Sequence, residues 1–153
     1  MDTWEQILAF EPFLRFVGLA AKTLGPEEVV LHLPVRNEIA NHLGALHGGA
    51  QFTLGETTGL TTAVLSLGER LDRVAVLTRN ATITYQRPSQ GDLFGRARVQ
   101  LEERAQLQAA WSSQGKARLT VPVEIVDTSG QVVTALSVAC LVLSLPSPAS
   151  QGE

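Results

Sequence analysis

Hydrophobic and polar positions divide this chain into blocks with different periods. Thr3-Trp4-Glu5-Gln6 has the form of a capping box, with Thr3 placed to accept from first-turn amides. It predicts a short helix carrying Trp4, Ile7, Leu8 and Phe10, which Pro12 disturbs. Phe16 to Leu24 is irregular, Gly25-Pro26 reads as a turn, and Glu28 to Val35 reads as a strand, together an opening hairpin. Gly48 to Leu67 is the candidate for a long central helix. Counted from Glu56, Gly49, Phe52, Leu60, Ala63 and Leu67 fall at offsets of −7, −4, +4, +7 and +11, one helical face. Thr53, Thr57 and Thr61 form a second stripe. Repeated Thr is poor helix material, so this helix depends on tertiary packing, and Gly68 ends it.

Beyond Gly68 the period changes to two. Leu93, Gly95, Ala97, Val99 and Leu101 alternate with Phe94, Arg96, Arg98 and Gln100, a half-buried strand. Val74 to Tyr85, Ala117 to Val126 and Gln131 to Leu145 read as three further long strands. Asp127-Thr128-Ser129-Gly130 joins the last two as a hairpin. Pro122 lacks a ladder donor, so its strand lies at an edge or bulges there. Glu102 to Gln114 reads as a second helix stopped by Gly115. The expectation is one α+β domain over residues 1–145, a largely antiparallel sheet around one long helix. Residues 146–153, rich in Pro, Ser and Gly, are expected to form a disordered tail.

Composition narrows the class. The 153 residues carry 12 Lys+Arg against 15 Asp+Glu, a formal charge of −3, which argues against a nucleic-acid coat. Hydrophobic content of 44% with 18% charged residues is that of a globular protein. A single cysteine, Cys140, excludes an internal disulfide and a multi-cysteine metal site; in the last strand it is expected to be buried and inert. The apolar runs are too short to span a membrane, and the acidic start lacks a signal peptide's basic region. A cytoplasmic protein is expected.

The candidate chemistry lies between Asn41 and Glu56. His47-Gly48-Gly49 stands where the long helix begins, and the first amides of a helix lack internal partners. Gly48 and Gly49 leave those amides open to close approach, as an oxyanion hole requires. A tight loop-to-helix junction would use the same two glycines. Glu56 falls within the Phe52/Leu60/Ala63/Leu67 stripe, where a carboxylate suits a base or nucleophile, or a salt-bridged core group. His47 and Glu56 are nine residues apart, about 900° of rotation and about 13.5 Å of rise, so one helix points them in nearly opposite directions. If both act on one substrate, they meet across an interface between two chains, giving a dimer with two equivalent sites.

The run Asn41-x-x-Gly44-x-x-His47-Gly48-Gly49-x-x-Phe52-x-Leu54-x-Glu56 resembles the hot-dog-fold acyl-CoA thioesterases, near the phenylacetic-acid-degradation type. Thr78 to Pro88, with Tyr85-Gln86-Arg87-Pro88, followed by Gly91-Asp92, is similar to that family's next strand and turn. The resemblance covers about residues 15–145. It implies that Asn41 orients the thioester or a water, that His47 sits near the thioester, and that the Gly48 amide polarises its carbonyl. Glu56 of the other subunit would activate water or attack directly. Two departures stand out: Leu60 where members with Glu often have Ser or Thr, and Tyr85 where some have His. Either Thr57 or Thr61 would then position water or the water-positioning groups are missing, and Gly49, Tyr85 and Arg87 complete the substrate-binding set.

Arg79 and Arg87 suit coenzyme A phosphates, although a solvated sheet rim explains them equally. His42 and His47 lack a metal-ligand pattern, and His32 reads as structural or exposed. Ser112-Ser113 lacks a nucleophile elbow, and Gly44 to Gly49 lacks the Lys-Ser/Thr of a P-loop. No metal and no cofactor beyond the substrate's coenzyme A is expected. The leading expectation is an acyl-CoA thioesterase acting as a homodimer, with a tetramer of two dimers equally allowed. The rivals are a non-catalytic acyl-CoA-binding protein, a scaffold without ligand, and an enoyl-thioester hydratase whose Asp…His pair has no counterpart here.

Overall fold

A computed structural model describes residues 3–146. Helix α1 (Thr3–Phe10) stops two residues before Pro12, which opens the short helix α2 (Pro12–Val17). Pro fits there because a first-turn amide has no helical partner to lose. The side chain of Thr3 and residues 147–153, on which the capping box and nearly all of the expected tail fall, lie outside the described residues.

The strands β1 (Ala20–Leu24) and β2 (Glu28–Leu33) form the expected hairpin, with β2 ending two residues early. Next come α3 (Gly48–Ser66), β3 (Val74–Tyr85), β4 (Leu93–Arg98), α4 (Leu101–Gln114), β5 (Lys116–Val126) and β6 (Val132–Ser144). The strands make one six-stranded antiparallel sheet in the order β1-β2-β4-β5-β6-β3. Helix α3 lies across it, touching β2 to β6, as the central helix of the expected architecture.

Period-two burial is clear in β2, where Val29, Leu31 and Leu33 are buried, and in β5, where Leu119, Val121, Val123 and Ile125 are. These side chains meet α3 to form the core. The helix face that packs on the sheet is not the one centred on Glu56. Leu54, Gly55, Thr58, Gly59 and Thr62 are buried, whereas of the Glu56 stripe only Ala63 and Leu67, at its end, are buried and Phe52, Glu56 and Leu60 are half-buried. The reason is steric: a Cβ on Gly59 would come within 3.0 Å of Val138 Cβ, and one on Gly55 would collide with Leu136. Small residues let the helix approach β6 closely, and hydropathy does not mark them as a face. Thr58 and Thr62 are satisfied there by donating to the carbonyls of Leu54 and Thr58, each at 2.7 Å.

Helix α4 covers the far end of α3, where Arg104 Nε and Gln108 Nε2 donate to Ser66 O at 3.3 Å and Trp111 Nε1 donates to Glu69 at 2.8 Å. Gly115 ends α4 at φ +62°, as expected of a left-handed cap. Pro122 is not on an edge strand, since β5 is internal. The β4–β5 ladder spans only Phe94–Arg96 against Glu124–Val126, so Pro122 sits beyond its end, where no donor is required.

Candidate active site

His47 is the N-cap of α3, with φ −58° and ψ 144°, and its Nδ1 accepts the Gly49 amide at 2.9 Å. The neutral ring therefore carries its proton on Nε2. His47 O accepts the Gln51 amide at 3.0 Å, the first bond of the helix. The Gly48 amide meets no acceptor among the described residues, which leaves it as an open donor at the positive helix end. Tyr85 packs over Gly48 and its hydroxyl donates to Gly48 O at 2.9 Å. A Cβ at Gly48 would lie 3.1 Å from that hydroxyl, so the glycine admits the tyrosine ring. Asn41 Oδ1 accepts the amides of Leu43 and Ala45 at 2.9 and 3.1 Å, holding the loop that delivers His47.

These groups open on a cleft of about 890 Å³ whose walls include Asn41, His47, Gly48, Gly49, Tyr85 and Arg87. Gln51 fixes its floor from one turn into α3. Buried at 6% exposure, it donates to Leu46 O at 3.1 Å and Ser89 Oγ at 3.4 Å, and accepts from Thr134 at 2.5 Å. The amides of Gln86 and Arg87 both donate to Val133 O, tying the other wall to β6. Just past that wall, Asp92 accepts the Val35 amide at 3.0 Å and binds His32 Nε2 at 2.9 Å. The Val35 amide first, and then His32, hold the Asp92 carboxyl below its usual range. His32 also stacks on Phe94, ring centres 4.6 Å apart.

Glu56 stands apart from the cleft walls. Its Oε1 accepts from Thr78 Oγ1 of β3 at 3.0 Å. A bulge between Thr78 and Asn80 makes this possible, because Thr78 pairs with Cys140 and Asn80 with the next residue back, Ala139. The extra residue, Arg79, reverses the inward parity, so Thr78 before the bulge and Tyr85 after it both face α3. Thr57 is half-buried and Thr61 is 3% exposed; neither lines the cleft. Arg79 lines a separate outer cavity with Arg118 and Cys140. The Cys140 thiol is buried and pushed up to about 12, mainly by burial and secondarily by the Glu56 charge.

One chain thus brings together Asn41, His47, Gly48, Gly49, Tyr85 and Arg87, and leaves Glu56, Thr57 and Thr61 outside that group. The spacing argument separating His47 from Glu56 agrees with this placement. Gln51, Thr78, Ser89 and the His32–Asp92 pair escaped the sequence reading. Each acts through a partner 22 or more residues away, Thr78 being 22 from Glu56. Gln51 alone gave a local signal, a polar residue one turn inside the helix start.

Among curated proteins none matches the chain. Solved structures do. A Pseudomonas aeruginosa protein of unknown function, described as a probable thioesterase, superposes with TM-score 0.77 at 28% identity over 95% of this chain and 97% of its own. A Chlorobaculum tepidum protein of unknown function gives TM-score 0.81 at 15% identity, covering 94% of each chain. A thioesterase from Haemophilus influenzae gives 0.72 at 18% identity, covering 97% of this chain and 95% of its own. The last two likenesses concern the fold alone. The family described as "Domain of unknown function (DUF4442)" matches residues 5–142, and the chain belongs to that family, with the hot-dog fold of the thioesterase superfamily.

Proposed function

We propose that this protein hydrolyses an acyl- or aryl-coenzyme A thioester to the free acid and coenzyme A. The observation that carries the reading is the Gly48 amide at the start of α3, without an acceptor among the described residues, on a residue that lines a large cleft together with Arg87. A carbonyl oxygen bound there gains a hydrogen bond and the helix field as it becomes negative. Water attacks the carbonyl carbon while Glu56 takes its proton. Collapse of the tetrahedral oxyanion breaks the C–S bond, and the Glu56 proton passes to the leaving sulfur. Alternatively the carboxylate attacks the carbonyl and expels the coenzyme A thiolate by breaking the C–S bond; water then opens the resulting anhydride to the free acid and the Glu56 carboxylate, its proton going to the thiolate. Arg87 suits a phosphate of the coenzyme.

Glu56 reaches this centre from a second copy of the chain. Within one chain it stands outside the cleft on the half-buried Phe52/Glu56/Leu60 side of α3, beside β3, the terminal strand of the sheet. A homodimer that covers this side supplies the missing carboxylate, and a tetramer would pair two such dimers.

The test is thiol release from a panel of aliphatic and aryl acyl-coenzyme A esters by wild type and Glu56→Ala. Wild type turns over part of the panel, and the variant falls by about 10²–10⁴-fold, the usual worth of a positioned base. Release within a few-fold of wild type would remove Glu56 from the chemistry. The second reading, a protein that binds such esters without hydrolysing them, draws on Leu60 and on the Tyr85 hydroxyl already engaged with Gly48 O. Tight binding with no thiol release from any ester would establish it.

A further inference from the structure

A second, smaller cavity touches the same helix start. It measures about 230 Å³, lies between α2 and α3, and shares only His47 and Gly49 with the walls of the large cleft. Phe13, Phe16, Val17, Ile39, Ala50 and Thr53 supply its walls, so its surface is largely apolar. Glu38 also borders it; exposed, it stands 3.7 Å from Arg36.

The way α2 is held explains why two phenylalanines stand there. Leu14 and Val17 are buried at 8% and 4% exposure and anchor the helix. Its ends are fixed by Pro12 and by Gly18 at φ +92°, and the Arg36 guanidinium donates to Phe16 O. Phe13 and Phe16, three residues apart, are thereby left 58% and 68% exposed. Two large apolar side chains kept in water beside an apolar groove mark a binding surface.

We infer that this groove receives the acyl group of the thioester, and that Phe13 and Phe16 set the size it accepts. The inference rests on the thioesterase reading above. His47 and Gly49 line both cavities, so a thioester placed at the helix start directs its coenzyme arm into the large cleft and its acyl arm between α2 and α3. Size fixes the class. An apolar cavity of about 150 Å³ holds benzene, so this one suits a benzoyl ring or a chain of about six carbons. The apolar walls and the Glu38 carboxylate select a neutral acyl group over one ending in a second carboxylate.

The experiment compares acetyl-, hexanoyl-, benzoyl- and succinyl-coenzyme A on wild type, on Phe13→Ala/Phe16→Ala, and on Thr53→Phe, which fills the groove instead of opening it. Both kcat/KM and Kd are measured, with coenzyme A alone as the binding reference. Wild type prefers hexanoyl and benzoyl esters, and both variants lose at least about tenfold on these while acetyl changes less than about threefold. Equal losses on all esters, or a succinyl preference, would overturn the assignment. If wild type hydrolyses nothing, the thioesterase reading fails, and the Kd values still decide the groove. Hexanoyl-coenzyme A binding tighter than coenzyme A in wild type alone supports it. Equal affinities for the two, or no binding, overturn it.

Discussion

Asp92 joins two segments with one carboxylate, accepting the Val35 amide on one oxygen and His32 on the other. Its folded-state value lies below the ordinary carboxylate range, chiefly because of the Val35 bond. The sign of the pH effect follows. A carboxyl with a lowered folded value adds stability that is complete above its unfolded value, about 3.9, and is lost as pH falls through the folded value. Asp92→Asn keeps an acceptor for Val35 and removes the charge, so it flattens the loss of stability below about pH 4. Urea midpoints of both proteins, measured from about pH 6 down to about pH 3, check this. The side chain is 37% exposed, so the effect is a modest one. An undiminished acid-induced loss in the variant would assign that pH dependence to other carboxylates. Gly91-Asp92 was visible in the sequence as a turn, but its partners were not, because a separation of 60 positions between His32 and Asp92 gives no local cue.

At the scale of elements, periodicity revealed what hydropathy could describe. The alternation in β5 and the Gly stops after α3 and α4 appeared with correct limits to within a residue or two, whereas β4 ends at Arg98, three residues short, because Leu101 already opens α4. The orientation of α3 did not, since its sheet-facing side is built from Gly55, Thr58, Gly59 and Thr62, residues that carry little hydropathy. That orientation has a test. Alanine in place of Gly59 gains about 1 kcal/mol of helix propensity, but its Cβ meets the stiff Val138 at 3.0 Å, and overpacking of this kind costs about 1–3 kcal/mol. Gly59→Ala is therefore destabilising by up to about 2 kcal/mol. In the Val138→Ala background the two methyl contacts at 3.1 and 3.4 Å are gone and only the Cβ contact at 3.0 Å remains, so the same substitution becomes less destabilising. Denaturant unfolding of the four proteins gives the coupling directly. Additive effects would mean that α3 does not approach β6 this closely. The bulge at Arg79 is a similar case: a strand over Val74 to Tyr85 is readable, whereas the inserted residue that turns both Thr78 and Tyr85 inward depends on pairing with β6.

At the scale of the whole molecule, the separation of Glu56 from the cleft makes a prediction that a self-contained site would not. In the proposed dimer of twofold symmetry, each active site would take Glu56 from one subunit and the helix start from the other. Glu56→Ala removes the carboxylate from both sites. Gly48→Pro removes the amide from both, and the backbone tolerates it. Gly48 is the first helical residue, where proline is favoured, and His47 at ψ 144° already has the extended form a following proline demands. The proline Cβ lies 3.1 Å from the Tyr85 hydroxyl, so the half-exposed tyrosine has to give by a few tenths of an ångström. Each variant alone is expected to lose about 10²-fold or more in thiol release. Mixed and allowed to exchange subunits, half of the dimers become heterodimers, each with one site free of both substitutions. Activity therefore recovers to about a quarter of the wild-type level. Recovery requires that the mixed sample contain dimers or larger assemblies, which sedimentation of the 16.4 kDa chain verifies on the same preparation. A mixture that exchanges subunits and stays inactive would place Glu56 and Gly48 in the same chain's site, and β3 would then need another reason for its open edge.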